Sequence, residues 1–373
     1  MIKISADSQI PEIENQLEEY FNAEFSLKLF SSDKLSNNDL KDIDILIVRS
    51  TLLVNQSLCE GTSISYVASA TAGIDHLDVS YLESQNIGWS YAPGCNTSSV
   101  IHYVMTVFGE LIKDGLFNVR QSIGILGYGN IGKRLYMLLK ALNFEVYACD
   151  PFLTDPELVN LDRVLECDLL TIHVPLSIEG PHPTFNLINQ SHKKILSNKI
   201  LINTSRGEIV SEDFLSESQD LIYIADVWKN EPNPELSVVK KAYIATPHIA
   251  GYSEEGKLNG AKMIVEKCAK KFKCLKHNSY DSNSFKKWPH GLQNIVGDIH
   301  GLSFPLSLFN SELDIRSISD SFKALSAKNL EDGFKDLRAN HPQRHDFNSY
   351  SFNGINKFDE ELDLRFFDYL RGA

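Results

Sequence analysis

The sequence predicts an α/β protein whose parallel sheet is covered on both faces, and three observations predict it. Short runs of branched apolar residues recur from Ile2 to Ala245, separated by helical or polar stretches. Such runs suit strands buried on both sides. A glycine turn, Gly127-Tyr128-Gly129-Asn130-Ile131-Gly132, stands between a strand-like and a helix-like segment. Three residues with ion-pairing or acid–base capacity, Arg206, Glu231 and His248, each follow one of the later apolar runs.

Taken in order, Ile2 and Ile4 alternate with polar neighbours as in a short strand, and residues 44–48 (D-I-L-I-V) form a second. Helical candidates lie between them. Residues 64–68 and 88–91 read as further strands, separated at 75–85 by a polar stretch that suits a surface helix. Residues 100–113 offer a long apolar helix. A new strand at 122–126 and a helix at 131–142 flank the glycine turn, which therefore begins a second domain. Later strands are expected at 146–149, 169–173, 200–203, 222–225 and 243–245. After Lys276 the run H-N-S-Y-D-S-N-S reads as a linker, and the segment from about Ser284 carries no catalytic motif.

A chain of 373 residues with 43% apolar composition can bury two or three cores. Lys and Arg total 36 against 49 Asp and Glu, a formal charge of −13, which opposes binding to nucleic acid or to an anionic membrane. The N-terminus lacks the apolar core of a signal peptide, and no membrane-spanning run is present in the sequence, so a cytoplasmic protein is expected. Six scattered cysteines, without a C-x-x-C pair, point to free thiols rather than to a metal site or disulfide framework.

The glycine turn has the context that dinucleotide binding requires. Gly127, Gly129 and Gly132 allow a tight turn, close approach of a pyrophosphate and close packing of helix on strand, with Asn130 and Ile131 opening the helix toward the phosphates. Asp150 ends the next strand, where a carboxylate can accept the ribose hydroxyls and repel a 2'-phosphate, which favours NAD. A capping or buried Asp is the alternative there. Arg206, in N-T-S-R-G-E, can grip a carboxylate bidentately. His248 can take a hydroxyl proton as hydride leaves the same carbon, and Glu231 can fix its tautomer. His76, His102 and His173 lack such companions, and core or surface roles are expected for them.

These residues resemble the D-isomer-specific 2-hydroxyacid dehydrogenases, over roughly residues 1–276. The motifs that carry the resemblance are V-R-S-T at 48–51, A-T-A-G-I-D-H-L-D at 70–78, A-P-G-C-N at 92–96, G-P-H-P-T at 180–184 and H-I-A-G-Y at 248–252. In the tail, F-K-D-L-R-A-N at 334–340 and R-H-D-F-N-S at 344–349 are similar to a branch of the family that oxidises a phosphorylated acid and dimerises through its C-terminus. The resemblance implies a central Rossmann-type doubly wound sheet at 94–251, a split flavodoxin-like substrate domain at 1–93 and 252–280, and a small α+β dimerisation domain at 281–373. It implies NAD as cofactor, a homodimer and no metal. Arg206, Glu231 and His248 fall on catalytic positions; Ser50, Thr71 and Tyr252 on substrate-contacting ones; Asp150, Thr204, Asp226 and Gly251 on nucleotide-contacting ones. Asp226 is expected to face the nicotinamide carboxamide, and the two domains to close over the substrate. Arg49 is the first candidate for a phosphate ligand, with Lys257 and Arg338 behind it. Two departures from the family are His102, at a helix position where Glu is usual, and Val174, where Thr is frequent. A dehydrogenase for phosphoglycerate or glycerate, and a non-catalytic NAD-sensing protein, stay open as alternatives.

Overall fold

The computed structural model describes residues 1–276 and 313–346, together with the backbone of two short strands at 286–287 and 350–351. The chain divides into two compact units, Met1–Thr97 with Ser253–Ser284, and Ser98–Tyr252 with Phe285–Ala373.

In the first unit β1 (Ile2–Asp7), β2 (Phe25–Phe30), β3 (Ile45–Val48), β4 (Tyr66–Ser69) and β5 (Gly88–Tyr91) form a parallel sheet in the order β2-β1-β3-β4-β5. This is the flavodoxin-like order. β3 and β4 are buried along their whole length because apolar clusters cover both faces, one of them built with the helix Glu254–Lys271. β2 corrects the sequence reading, which placed only helical segments between Ile4 and Asp44. Its alternation F-S-L-K-L-F is half exposed because it pairs on one side only, with β1 in the register Ile2↔Phe25. The helix expected at 75–85 starts late, at Val79–Ser84. The backbone just before it is drawn to Val54, through Val54 N to His76 O at 2.8 Å and Asp78 N to Val54 O at 2.8 Å, and the Asp78 side chain then caps Tyr81 N.

In the second unit β6 (Ser122–Leu126), β7 (Glu145–Cys149), β8 (Leu169–Ile172), β9 (Ile200–Asn203), β10 (Ile222–Ala225) and β11 (Ile244–Ala245) form a parallel sheet ordered β11-β10-β9-β8-β6-β7. The strand order reverses at β6, so the crevice beyond the carboxyl ends of β6 and β8 is the expected ligand position of a doubly wound sheet. The helix Thr97–Lys113 covers one face with Tyr103, Val107 and Phe108. Residues 313–346 build into this same unit. Phe322, Leu330 and Phe334, from the helices Ile315–Lys323 and Leu330–Ala339, pack with Trp228 and Val239, and Ser319 Oγ accepts the Ala245 amide at 3.0 Å. The tail therefore covers β11, the edge of the sheet, and removes an exposed ladder. β12 (Lys286–Lys287) and β13 (Tyr350–Ser351) pair in parallel. The linker expected at 277–284 and most of the remaining tail lie outside the described residues.

Among the described residues no helix is long and apolar enough to cross a membrane, and no group of His, Cys, Asp and Glu is arranged to hold a metal ion. The six cysteines are free and buried.

Candidate active site

The glycine turn occupies the switch point, between β6 and the helix Asn130–Ala141. Gly127 has φ +94°, and a Cβ there would stand 2.5 Å from the His173 carbonyl oxygen. A Cβ on Gly132 would stand 1.9 Å from the Gly127 oxygen, so only glycine lets the helix start this close to the strand. At Gly129, on the exposed rim, an added Cβ meets nothing within 4 Å. Asp150 braces the turn by accepting the amides of Tyr128 at 3.0 Å and Phe152 at 3.1 Å. The capping role is thus real, and it leaves acceptor capacity on a carboxylate that can take about four hydrogen bonds. Thr204, just past β9, has a buried hydroxyl without a partner. An open amide-lined turn, a carboxylate beyond the next strand and an unpaired buried hydroxyl fit a dinucleotide.

Arg206 follows β9 in a turn that Asn203 holds, its Nδ2 donating to the Arg206 carbonyl at 2.8 Å. A Cβ on Gly207 would fall 2.0 Å from the Trp228 carbonyl carbon, so the R-G pair lies flat on the D-V-W-K loop after β10. That same loop carries Glu231. Glu231 Oε1 accepts the Trp228 amide at 2.8 Å, and Oε2 meets His248 Nδ1 at 2.6 Å. With Nδ1 donating to the carboxylate, the lone pair of the neutral ring lies on Nε2. Burial pushes the Glu231 carboxyl up, but the His248 charge and hydrogen bond, the Trp228 amide and the Arg338 charge together hold it below the ordinary glutamate value. The carboxylate therefore stays ionised beside the imidazole.

His248 adopts φ +57°, a left-handed conformation that costs a non-glycine residue about 1–3 kcal/mol and persists only where its surroundings over-determine it. Asp226 supplies part of that constraint. Its carbonyl accepts the His248 amide at 2.7 Å, and its fully buried carboxylate accepts Thr246 Oγ1 at 2.6 Å and the amides of Ile249 and Ala250 at 2.7 and 2.8 Å. Burial nonetheless raises the Asp226 carboxyl above its ordinary value. All of these bonds stay within the protein, so the first task of Asp226 is to shape the histidine loop. Gly251 and Tyr252 continue that loop. The guanidinium of Arg338 lies 5.3 Å from the Tyr252 ring centre, and its Nε is buried without a partner.

Residues 115–250 match the family model described as D-isomer specific 2-hydroxyacid dehydrogenase, NAD binding domain. Solved structures that share the fold include a 3-phosphoglycerate dehydrogenase of Entamoeba histolytica with NAD+ bound, at a TM-score of 0.62 and 25% identity, covering 73% of this chain and 95% of that one. A formate dehydrogenase of Staphylococcus aureus in complex with NAD gives a TM-score of 0.59 at 22% identity, over 73% of this chain and 95% of that one. The erythronate-4-phosphate dehydrogenase of Cellvibrio japonicus is 34% identical over 367 residues, 94% of each chain. The chain belongs to the erythronate-4-phosphate dehydrogenase family. The Legionella pneumophila member is likewise 34% identical, over 94% of this chain and 96% of its own length, so the likeness to the family includes the tail.

In the second unit Glu231 and His248 pair directly, Asp226, Gly251 and Tyr252 lie in or beside the His248 loop, and Arg206 stands next to Gly207, which packs on the Trp228 backbone of the Glu231 loop. Ser50 and Thr71 belong to the first unit, past the carboxyl ends of the neighbouring strands β3 and β4. Ser50 is exposed, whereas Thr71 Oγ1 donates to the Gly73 carbonyl at 3.0 Å and so closes a turn. Arg49 is held by the buried Asp7, Nε to Oδ2 at 3.0 Å. Lys257 is pulled down by burial first and then by the Arg49 charge, which marks the two cations as neighbours. His76 is buried on Ser69 Oγ at 2.8 Å, His102 is buried, and His173 sits behind the glycine turn on Thr171 Oγ1 at 2.9 Å with burial lowering it to about 3. Val174 also touches the turn: its Cγ1 lies 2.8 Å from where a Cβ of Gly127 would be. Sequence reasoning missed Asn203, Gly207, Asp7 and the shaping role of Asp226; only the R-G pair carried a local signal.

Proposed function

We propose that this chain oxidises 4-phospho-D-erythronate at its 2-hydroxyl to (R)-3-hydroxy-2-oxo-4-phosphooxybutanoate, with NAD as acceptor, in pyridoxal 5'-phosphate (vitamin B6) formation. The observation that carries the chemistry is the 2.6 Å pair of His248 and Glu231, the second in the loop against which Gly207, the neighbour of Arg206, packs. Arg206 binds the substrate carboxylate and sets carbon 2 against the imidazole. His248 Nε2 takes the hydroxyl proton, and Glu231 stabilises the resulting imidazolium through Nδ1. NAD, when bound, supplies the acceptor for the hydride leaving carbon 2. The glycine turn, Asp150, Thr204, Asp226 and Gly251 are assigned to the cofactor, and Ser50, Thr71 and Tyr252 to the substrate. The neighbouring cations Arg49 and Lys257 support a phosphate contact from the first unit.

Six free buried cysteines support a reducing compartment, and the cytoplasm is our assignment. A homodimer is proposed from the family likeness of the tail; a truncation ending before Ser284 that still sedimented as a dimer would contradict it. The decisive assay is NADH formation on 4-phosphoerythronate beside 3-phosphoglycerate and D-glycerate. Preference for the phosphorylated four-carbon acid is expected, and preference for another acid would move the chain to a different substrate with the same chemistry. In the same assay Arg49→Ala should raise KM for the phosphorylated acid about 10- to 100-fold, corresponding to the roughly 1.5–3 kcal/mol of a hydrogen bond to a charged group. An equal rise for an unphosphorylated analogue would remove Arg49 from phosphate recognition.

A further inference from the structure

The histidine loop is gripped from two sides, and the second grip comes from the tail. Asp226 takes its amides, at His248, Ile249 and Ala250. Arg344 takes its carbonyls: Nη2 donates to Ala250 O at 2.6 Å and to Ile249 O at 3.3 Å, and Nε donates to Tyr252 O at 2.6 Å. Nη2 also reaches Ser99 O at 3.3 Å, while the Ser99 hydroxyl donates to Asp346 at 3.0 Å, which ties residues 344–346 to the start of the helix Thr97–Lys113. Arg344 is 2% exposed, a deeply buried cation directed onto backbone carbonyls.

A planar guanidinium can serve several carbonyls at fixed angles, which a single ammonium nitrogen cannot. The loop it secures begins at His248, whose backbone is left-handed at φ +57°, and a loop released from either side would relax toward ordinary backbone and carry the imidazole away from Glu231. We propose that Arg344 is a positioning residue for the acid–base step, the carbonyl-side half of a clamp that keeps His248 aimed, so that the tail sets turnover in addition to covering the sheet edge. The inference rests on the reading of His248 as the proton carrier.

The test compares Arg344→Ala and Arg344→Lys with the wild-type enzyme, well below each protein's Tm. Turnover should fall ~10- to 100-fold, the scale of an ångström-level misplacement, with NAD affinity unchanged. Added guanidinium, far below denaturing concentrations, should restore part of kcat to Arg344→Ala and not to Arg344→Lys. In a His248→Ala background, Arg344→Ala should cost nothing further. The downfield proton signal of the His248 Nδ1–H bonded to Glu231 should be present in the wild type, lost in Arg344→Ala and recovered with guanidinium. Wild-type kcat with an intact proton signal in the variants, or an equal loss in the His248→Ala background, overturns the proposal. Should Arg344→Ala not fold, the lysine variant decides by the same two readings. A wild-type protein that oxidises none of the acids would sink the catalytic reading instead, while the proton signal would still report whether Arg344 positions His248.

Discussion

The two ends of the second sheet hold their working groups in different ways. At the β6 end, the glycine turn is shaped by sterics among close neighbours in sequence: Gly132 against Gly127, with Asp150 bracing from the next strand. At the β10 and β11 end, the His248 loop is held on its amides by Asp226, about as near in sequence as Asp150 is to its turn, and on its carbonyls by Arg344, 94 residues from Ala250. At the turn, glycine sterics and one carboxylate from the next strand hold the backbone amides in place. An acid–base pair at 2.6 Å requires a side chain aimed in three dimensions, and here that takes a strained backbone and long-range bonds.

The sharpest way to separate the two ends is His248→Ala. It should slow turnover by at least ~100-fold, the low end for a general acid or base, while NAD affinity measured by fluorescence titration stays at the wild-type value. A parallel loss of NAD binding would show that the ends are not independent. The converse variant is Gly132→Ala. Its Cβ would meet the Gly127 oxygen at 1.9 Å, so helix and strand must separate, at about 1–3 kcal/mol for overpacking. NAD affinity should fall and the His248 pair should survive; unchanged affinity would show that the turn has slack that its geometry denies.

At neutral pH the remaining effect is silent, and it emerges only in acid. His173, behind the glycine turn, is held neutral by burial down to about pH 3, against 6.5 for the free side chain. The unfolded chain therefore takes up this proton below about 6.5 and the folded chain does not, so stability is fully present above that pH and declines as pH falls toward 3. The slope is about 1.4 kcal/mol per pH unit where the difference is complete. Glu231, held below its ordinary value, adds loss in the same direction at lower pH. His173→Gln should flatten the acid limb of Tm against pH between 6.5 and 3. An unaltered limb would assign acid sensitivity to other groups.

Much of this was legible before any coordinates. The strands at 200–203 and 222–225 are where their apolar runs end, and Arg206, Glu231 and His248 follow strands as their positions implied. β2 was not legible as a strand because an edge strand exposes half its residues, and its alternation competes with neighbouring helical signals. Thr71 illustrates the limit at the site: the residue type suits both a substrate contact and a turn, and only the bond to Gly73 reveals the turn.

The sequence by itself determined the α/β class, the place of the glycine turn and the candidates for acid–base work, because apolar period and glycine sterics are local signals. The tertiary structure decided how those residues are aimed: the left-handed turn of His248, the hold of Asp226 on the histidine loop, the pairing of Arg49 with an Asp 42 positions earlier and the reach of Arg344 into the loop. Hydrogen bonds between such distant positions leave no periodic trace in a chain, since their partners meet only after the strands and helices between them have packed.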